Sequence, residues 1–403
     1  MSSAATEPKC GIVIIGFGAP LRSMGWYHAK NVVDGEVPNA AVTDIVEPWL
    51  LGGGKDSADG AAFLGWAAQH PEINFHASIA ALPPPAEPRL AVIAARAADC
   101  PRLFREVLET PSVQCSHVFL EKPGAASVGE LEGMASLARI KGVGVSMGYN
   151  KNVTQYVAEA RRHENQAGAG AVTTFTHANS YTEAELPECF ERNSEGMLKN
   201  MAIHELALLV SYYGVRADNI RSVELDHERT RCLTLSGPEG GASYTDFASA
   251  GFKITTTDGT QAGVFADRTA GSYSEATVVA SDGSSATFKT PDAALLARVE
   301  EMRSELDCMD YFLLHRDDYI KLKDRCVRHV LAGAAGAAMC HHTRSPEGVA
   351  SIEVGVQALR LAELLTPQLI KSATDAAAAA LPAAVKAPAM HIEAADNFGL
   401  LGA

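Results

Sequence analysis

The first 150 residues alternate short apolar runs with segments of helical pattern, and no other feature constrains the fold as strongly. The apolar runs are "GIVII" at 11–15, "AAVTDIV" at 40–46, "INFHASI" at 73–79, "RLAVIAA" at 89–95, "SHVFL" at 116–120 and "GVGVSMGY" at 142–149. The helical segments between them cover 25–33, 56–69, 99–109 and 128–140. Strands that alternate with helices pair in parallel through right-handed crossovers, and apolar strands of this kind are buried on both faces. The pattern therefore predicts a doubly wound parallel α/β domain over residues 10–150.

A different pattern begins after residue 150, where Thr- and Val-rich runs surround two Asp-Gly pairs. Asp258-Gly259 and Asp282-Gly283 lie between β-prone runs, and Asp-Gly favours a tight hairpin because both residues tolerate positive φ. Helical segments are predicted at 152–163, 198–213, 294–314, 317–338 and 346–365. We expect a second α/β domain with an antiparallel sheet over 151–371. A flexible start over 1–9 and an Ala/Pro-rich tail over 372–403 flank the two domains.

Charge and cysteine spacing exclude several classes of partner. The chain has 48 acidic and 34 basic residues and a net charge of −14, with no basic patch, which argues against nucleic-acid and anionic-membrane partners. The eight cysteines form no C-x-x-C pair. Cys340-His341-His342 is interpreted as a loop, because adjacent residues seldom chelate one ion, so no metal site is predicted.

No apolar run approaches the roughly 20 residues that span a bilayer, and no signal-peptide core is present at the start. We expect a cytoplasmic protein with reduced cysteines.

A glycine-rich loop follows the first strand, with the sequence "GFGAPLRSMG" at 16–25. Gly16 and Gly18 match the first two glycines of the G-x-G-x-x-G dinucleotide fingerprint, but Leu21 occupies the third position. Either the helix begins at Pro20 and Leu21 packs where glycine normally does, or the loop carries an insertion and Gly25 takes the third role. The insertion is favoured, because "GWYHAKNVV" resumes a helical pattern. The residues predicted to hold the pyrophosphate of a dinucleotide are Gly16, Phe17, Gly18, Ala19, Pro20, Leu21 and Arg22.

An acidic residue at the end of the second strand bears on the choice of dinucleotide. Glu47 is placed to accept hydrogen bonds from ribose hydroxyls and to repel a 2′-phosphate, whereas Asp44 lies in mid-strand. This favours NAD over NADP. Arg22 could reach a phosphate from the extended loop, so NADP stays open. An exposed strand end is the alternative interpretation of Glu47.

Five motifs, taken together, resemble a known family. After "GIVIIGFG" come "FLEKPGA" at 119–125, "MGYNKNV" at 147–153, "NMAIHELALL" at 200–209 and "SPEGVASIEVGVQAL" at 345–359. Their order and spacing resemble those of the Gfo/Idh/MocA oxidoreductases over about residues 10–370. The resemblance implies an N-terminal Rossmann domain and a C-terminal α/β domain with a large open, mainly antiparallel sheet. It also implies oxidation or reduction of a carbon–oxygen bond in sugars, polyols or related compounds with NAD or NADP. Members of the family often pair through the open sheet, so a homo-oligomer, either a dimer or a tetramer, is expected.

The resemblance assigns roles to three residues of these motifs. Lys122 matches the lysine near nicotinamide and substrate, and its ammonium can polarise a carbonyl or stabilise a developing alkoxide. Glu121 matches the motif acid, which orients the lysine or the cofactor. His204 matches the catalytic histidine, and an unperturbed pKa near 6.5 suits proton exchange with a substrate hydroxyl. The alternatives are a surface lysine for Lys122 and a buried structural histidine for His204.

Other positions depart from the family pattern. Asn200 stands where the family has an aspartate four residues before the histidine, and an amide can orient a substrate hydroxyl but cannot accept its proton. Asn200 is therefore predicted to bind substrate. Tyr149 and Asn150 close the sixth strand, and Lys151 follows where the family often has arginine. Tyr149 and Lys151 are predicted to line the cleft, with domain-junction packing as the alternative. Arg96, in the loop after the fourth strand, is a candidate for cofactor contact.

Two alternatives to an NAD(P)-dependent oxidoreductase stay open. Asn200 and the stretched glycine loop would also suit a non-catalytic NAD(P) or ligand sensor on the same fold. An NAD-dependent glycosidase is the other alternative, although we find no carboxylate pair of the kind that the usual glycosidase mechanism needs. In each case the partner is a small molecule.

Overall fold

A six-stranded sheet and a seven-stranded sheet organise the chain. The structure is a computed structural model, and it describes residues 9–335 and 345–380 apart from 239, 241 and 307. Most of the predicted flexible start, the Cys340-His341-His342 loop and the tail beyond 380 lie outside the described residues.

The first sheet is parallel throughout, as predicted. Its strands are β1 (Cys10–Ile15), β2 (Ala40–Val46), β3 (Asn74–His76), β4 (Arg89–Ile93), β5 (His117–Leu120) and β6 (Gly144–Met147). They lie in the order β3-β2-β1-β4-β5-β6. Successive strands are added on one side of β1 up to β3 and on its other side from β4 onward, so the strand order switches between β1 and β4. Strands β1, β4, β5 and β6 are wholly buried. The carboxyl ends of β1 and β4 therefore border the crevice where such sheets bind ligands.

Helices cover this sheet on both faces. They are α1 (Met24–Val33), α2 (Pro48–Leu51), α3 (Ala58–Gln69), α4 (Cys100–Glu109) and α5 (Val128–Lys141). Helix α5 shows why the local sequence forms a helix: Ser127 and Glu130 make a capping box at its start, and Gly142 ends it with φ of +66°. Short 3₁₀ turns follow at Ile79–Ala81 and Asn150–Val153.

The second sheet is mixed and mainly antiparallel. Its strands are β7 (Val172–Ala178), β8 (Ile220–Leu225), β9 (Arg231–Ser236), β10 (Ser243–Thr256), β11 (Gln261–Asp267), β12 (Tyr273–Val279) and β13 (Ser285–Thr290). The order is β13-β12-β7-β11-β10-β8, with β9 beside β10, and β7 pairs with β11 in parallel. Both Asp-Gly pairs form the predicted hairpins, β10–β11 and β12–β13. The helices before β8 are α6 (Gln155–Ala167), α7 (Leu186–Arg192), α8 (Met197–Asn200) and α9 (Ile203–Tyr213).

Four helices complete the described chain: α10 (Ala293–Glu305), α11 (Asp310–Leu314), α12 (Arg316–Ala334) and α13 (Ile352–Ala380). Helix α12 belongs to the second half of the sequence but packs on the first sheet, where Leu322 and Val327 share a core with Ile12. Helix α13 runs past Pro367 to Ala380, so the expected end at residue 365 is wrong. The alanine run is a good helix former, so the helix takes in the start of the predicted tail. Among the described residues, no helix is long and apolar enough to cross a membrane.

Candidate active site

The glycine loop has the geometry of the insertion interpretation. Gly16 and Gly18 have φ of +82° and +70°, which side chains rarely adopt. Helix α1 begins at Met24, beyond the inserted residues. A Cβ on Gly25 would lie 2.0 Å from the carbonyl oxygen of Gly16 and 2.7 Å from the Cα of Phe17. Gly25 therefore provides the close helix–strand approach that the fingerprint assigns to its third glycine.

The remaining loop residues divide into those that face the core and those that face solvent. Phe17 is fully buried against Phe63 and Trp66, so its side chain belongs to the core and does not face a ligand. Leu21 is 40% exposed. The guanidinium of Arg22 pairs with Asp59 on the surface.

The start of helix α1 is open to an anion. Ser23 is its N-cap residue, yet the Ser23 hydroxyl accepts a hydrogen bond from the N–H of Ala19 (2.9 Å) and does not cap the helix. The N–H of Trp26 donates to the carbonyl oxygen of Phe17 (2.8 Å), but among the described residues no side chain caps the N–H groups of Met24 and Gly25, and the helix dipole favours a negative group there. This arrangement suits a pyrophosphate.

Glu47 joins the end of β2 to the glycine loop. Its carboxylate accepts hydrogen bonds from the N–H of Gly18 (2.8 Å) and, more weakly, from the N–H of Leu50 (3.5 Å). Asp44 is instead buried between His76 and Arg89, so it takes no part in the site. Glu47 is thus the carboxylate beside the loop.

The Glu121-Lys122-Pro123 motif begins directly after β5. Oε2 of Glu121 accepts a hydrogen bond from the N–H of Lys122 (3.2 Å). The carboxylate lies against Gly148, where a Cβ would come within 2.7 Å of Oε2. The Lys122 ammonium lies 3.5 Å from the backbone oxygen of Asn200, which brings the motif to the second domain. Burial lowers the pKa of Lys122, and the charge of Glu121 opposes this effect.

His204 lies in the first turn of α9 and is 5% exposed. Its Nδ1 is buried and has no hydrogen-bond partner in the part of the chain that the structure describes, and the same is true of the Tyr149 hydroxyl. The two rings are perpendicular, with centroids 5.8 Å apart. Burial lowers the pKa of His204 well below 6.5, and the charges of Lys122 and Lys151 lower it further. The imidazole is therefore neutral at neutral pH, and two orphaned polar groups lie side by side.

Lys151 is fully occupied by a buried ion pair. Its Nζ lies 2.5 Å from Oε1 of Glu205, and Nδ1 of His177 lies 3.2 Å from Oε2 of the same carboxylate. Burial alone would raise the pKa of Glu205, but Lys151 and His177 lower it to about 2. Lys151 thus acts on the cleft through its charge. Sequence reasoning missed His177, although strand alternation places it on the same side of β7 as buried Phe175.

Two predicted ligand contacts pair with acidic side chains. The Asn200 amide donates to Oε1 of Glu195 (3.3 Å). Arg96 is highly exposed and pairs with Asp99 at the start of α4.

A pocket of about 200 Å³ adjoins the side chains around His204 through His177 and His315. Nδ1 of His315 lies 3.2 Å from Nδ2 of Asn150, and the His177 and His204 rings are 6.3 Å apart. The rest of the lining is mixed: it has the hydroxyl and amide groups of Asn179, Ser272, Tyr273, Ser274, Thr290 and Tyr311, the carboxylate of Asp310, and the apolar side chains of Ala178, Pro291 and Leu314. His315 was also missed from the sequence, since nothing local distinguishes it. Among the described residues no three His, Cys, Asp or Glu side chains are placed to hold a metal ion.

The parallel sheet with its glycine loop, joined to a mixed-sheet domain that closes over the EKP motif, defines a two-domain Rossmann-like fold. No protein-family model matches the chain, and no curated protein sequence matches it significantly. Solved structures share the fold. One is scyllo-inositol dehydrogenase from Lactobacillus casei with bound NAD(H) and scyllo-inositol, at 14% identity over 91% of this chain and 97% of that one, TM-score 0.60.

Two further structures are equally similar. Myo-inositol dehydrogenase from Lactobacillus casei, in complex with NAD(H) and myo-inositol, is 14% identical over 91% of this chain and 94% of that one, with a TM-score of 0.61. GenD2 from gentamicin A biosynthesis, in complex with NAD, is 16% identical over 93% and 97%, also with a TM-score of 0.61. At these identities the likeness establishes the fold.

Proposed function

We propose that this protein is an NAD(P)-dependent oxidoreductase of the Gfo/Idh/MocA type. It would interconvert an alcohol and a carbonyl in a small polar substrate. The observation that carries the proposal is His204, a buried and neutral imidazole whose Nδ1 is orphaned. This ring and the Lys122 ammonium both lie where the EKP motif meets the second domain.

The residues present fit a nicotinamide dinucleotide. The start of α1 suits the pyrophosphate, and the Glu47 carboxylate, which contacts the glycine loop, would accept hydrogen bonds from a ribose. Arg22 is engaged by Asp59, which leaves Glu47 to favour NAD over NADP. When bound, the nicotinamide supplies the hydride chemistry.

The side chains of the cleft would handle the substrate oxygen and its proton. During alcohol oxidation the neutral His204 imidazole accepts the hydroxyl proton, and the Lys122 ammonium stabilises the negative charge that develops on oxygen. The Tyr149 hydroxyl, also orphaned, gains a hydrogen-bond partner in the substrate. Asn200 and Lys151 act indirectly, because their side chains contact Glu195 and Glu205 respectively.

The pocket beside His177 supports a polyhydroxylated substrate. Its lining of hydroxyl, amide and imidazole groups can exchange hydrogen bonds with several substrate hydroxyls. The inositols bound in the two Lactobacillus casei enzymes are compounds of this kind, and the shared fold makes them the first candidates.

The test combines cofactor binding with turnover. The protein is titrated with NADH and NADPH, then incubated with NAD or NADP and a panel of inositols and sugars while nicotinamide absorbance is followed. The expected result is oxidation of at least one polyol. His204→Gln should lower kcat by about 10²–10⁴-fold with an unchanged Kd for NADH. Lys122→Met should behave likewise, whereas Lys30→Met, which removes a surface ammonium paired with Asp34, should leave kcat unchanged.

A non-catalytic sensor is the second candidate function. Asn200 favours it, because an amide stands where the family's proton relay has a carboxylate. A sensor would be favoured if the protein binds the cofactor tightly, turns over no substrate, and binds the cofactor with the same Kd when it carries Lys122→Met. No binding of either dinucleotide would refute both the enzyme and a cofactor sensor.

We also propose that copies of the chain pair through the second sheet as a dimer or tetramer, which light scattering of the purified protein tests.

A further inference from the structure

A lysine lies in the core of the first sheet, far from the predicted site residues in sequence. Lys323 belongs to α12, and its side chain is completely buried. Its Nζ lies 2.8 Å from Oδ1 of Asn31 and 3.2 Å from Nδ1 of His28, both on α1. A buried ammonium is unfavourable unless it is paired, so its partners explain its presence.

His28 lies between Lys323 and the EKP motif and contacts both. The ring is fully buried, and its Nε2 lies 2.8 Å from Oε1 of Glu121. An ammonium can only donate, so Nδ1 of His28 accepts from Lys323. The proton of the neutral ring must then reside on Nε2, which donates to Glu121. The three side chains form a chain of hydrogen bonds with one consistent direction.

We propose that Lys323 is a positioning residue for the reaction, supplying through the neutral His28 ring the counter-charge that holds the Glu121 carboxylate in place. The inference rests on the proposed function. The other oxygen of Glu121 accepts the N–H of Lys122, so the orientation of the motif lysine depends on this carboxylate. Three elements distant in sequence thus converge: α12, the helix that follows the glycine loop, and the EKP motif.

Packing alone does not account for a lysine at this position. The rings of Tyr27 and Tyr319 lie 5.7 Å from Nζ, and an apolar side chain would fill such surroundings without the cost of desolvating a charge. The titratable groups that face Lys323 are Tyr27 and His28 from α1, Tyr319 and Cys326 from α12, and Glu121 from the motif. Burial lowers the pKa of Lys323 to about 7, and the charge of Glu121 opposes this effect. Below that pH the Lys323 ammonium and the Glu121 carboxylate balance each other's charge.

The charges also determine what happens to His28 when Lys323 is removed. Burial lowers the pKa of His28, the Lys323 ammonium lowers it further, and Glu121 opposes both. Without Lys323 the ring loses one of these two lowering effects and keeps the effect of Glu121. His28 should therefore take up a proton at a higher pH and become the counter-charge itself.

Lys323→Met tests this by nitrogen NMR of histidine-labelled protein, with His28→Gln used to assign the signal. In the wild type, below the Lys323 pKa of about 7, His28 should be neutral with the proton on Nε2. In Lys323→Met it should titrate to imidazolium at a higher pH. Lys321→Met is the matched control, because that ammonium lies two residues away and donates to the backbone oxygen of Val153. It should leave the His28 signal unchanged.

Turnover provides the second measurement. The kcat of Lys323→Met relative to wild type should change several-fold with pH, and at the same pH at which His28 titrates in the variant, with an unchanged Kd for NADH. A ratio that does not vary with pH would show a merely structural lysine and overturn the proposal. An imidazolium His28 in the wild type at pH 7 would overturn it as well. The NMR result does not depend on turnover, so a failure of the proposed function is distinguishable from a failure of this inference.

Discussion

Glu205→Gln tests the buried ion pair behind His204. Glutamine keeps the shape of the side chain but removes its charge. The side chain of Lys151 is 4% exposed, so its ammonium would stay buried without the carboxylate that it contacts at 2.5 Å. Lys151 and His177 contact different oxygens of the carboxylate, whereas the glutamine amide has a single acceptor oxygen, so one of these two contacts loses its acceptor.

The pKa of Glu205 sets the expected loss. In the folded protein it is about 2, against an ordinary value of 4.5. Because the folded value is the lower one, the carboxylate stabilises the fold fully above pH 4.5, and this contribution is lost as the pH falls towards 2. The difference corresponds to about 3 kcal/mol of unfolding free energy at pH 7. Measured losses of about 3–5 kcal/mol on breaking buried ion pairs agree with this value.

Urea unfolding followed by circular dichroism measures the effect. Tryptophan fluorescence would report only the first sheet, because all three tryptophans precede residue 70. Glu224→Gln is the control, since its partner Lys253 lies 3.0 Å away on the surface and such pairs contribute at most about 1 kcal/mol. If Glu205→Gln costs no more than Glu224→Gln at pH 7, or if its cost does not shrink as the pH falls below 4.5, the reasoning is refuted.

Three further predictions concern the cofactor loop and His204. Gly25→Ala should weaken NADH binding more than tenfold in a fluorescence titration, since the added Cβ would lie 2.0 Å from the oxygen of Gly16; Gly133→Ala, with open space around it, should have no effect. Glu47→Ala should raise the Kd for NADH relative to that for NADPH by about tenfold, the loss of one charge-assisted hydrogen bond; equal changes in both would contradict a ribose role. The acid limb of the pH–rate profile for alcohol oxidation should have its midpoint below pH 6.5, because the pKa of His204 is lowered; a midpoint above 6.5 would show that His204 is not the base.

The sequence predicts what depends on local pattern. Strand–helix alternation predicts the parallel sheet, the Asp-Gly pairs predict both hairpins, and the position of Gly25 indicates the true start of α1. Contacts between distant segments have no such signal. His28 looks like any residue of an amphipathic helix, yet it contacts Glu121, 93 residues away, and Lys323, 295 residues away. The edge strands β8 and β9 were also missed, since neither is fully buried on any face.

Asn200 marked the main departure in the sequence, and the structure explains how the site accommodates it. Glu205 follows His204 directly on α9, and adjacent residues on a helix do not face each other, so this carboxylate turns to Lys151 and His177. The Asn200 amide turns to Glu195. Among the described residues no carboxylate is placed to stabilise a His204 imidazolium, while Lys122 and Lys151 disfavour one. The imidazole is therefore in the neutral form that can accept a proton at neutral pH, but the imidazolium that results is less stable than it would be beside a carboxylate. The loss of the aspartate thus makes His204 a weaker base, and the proton that it accepts should pass on readily to solvent.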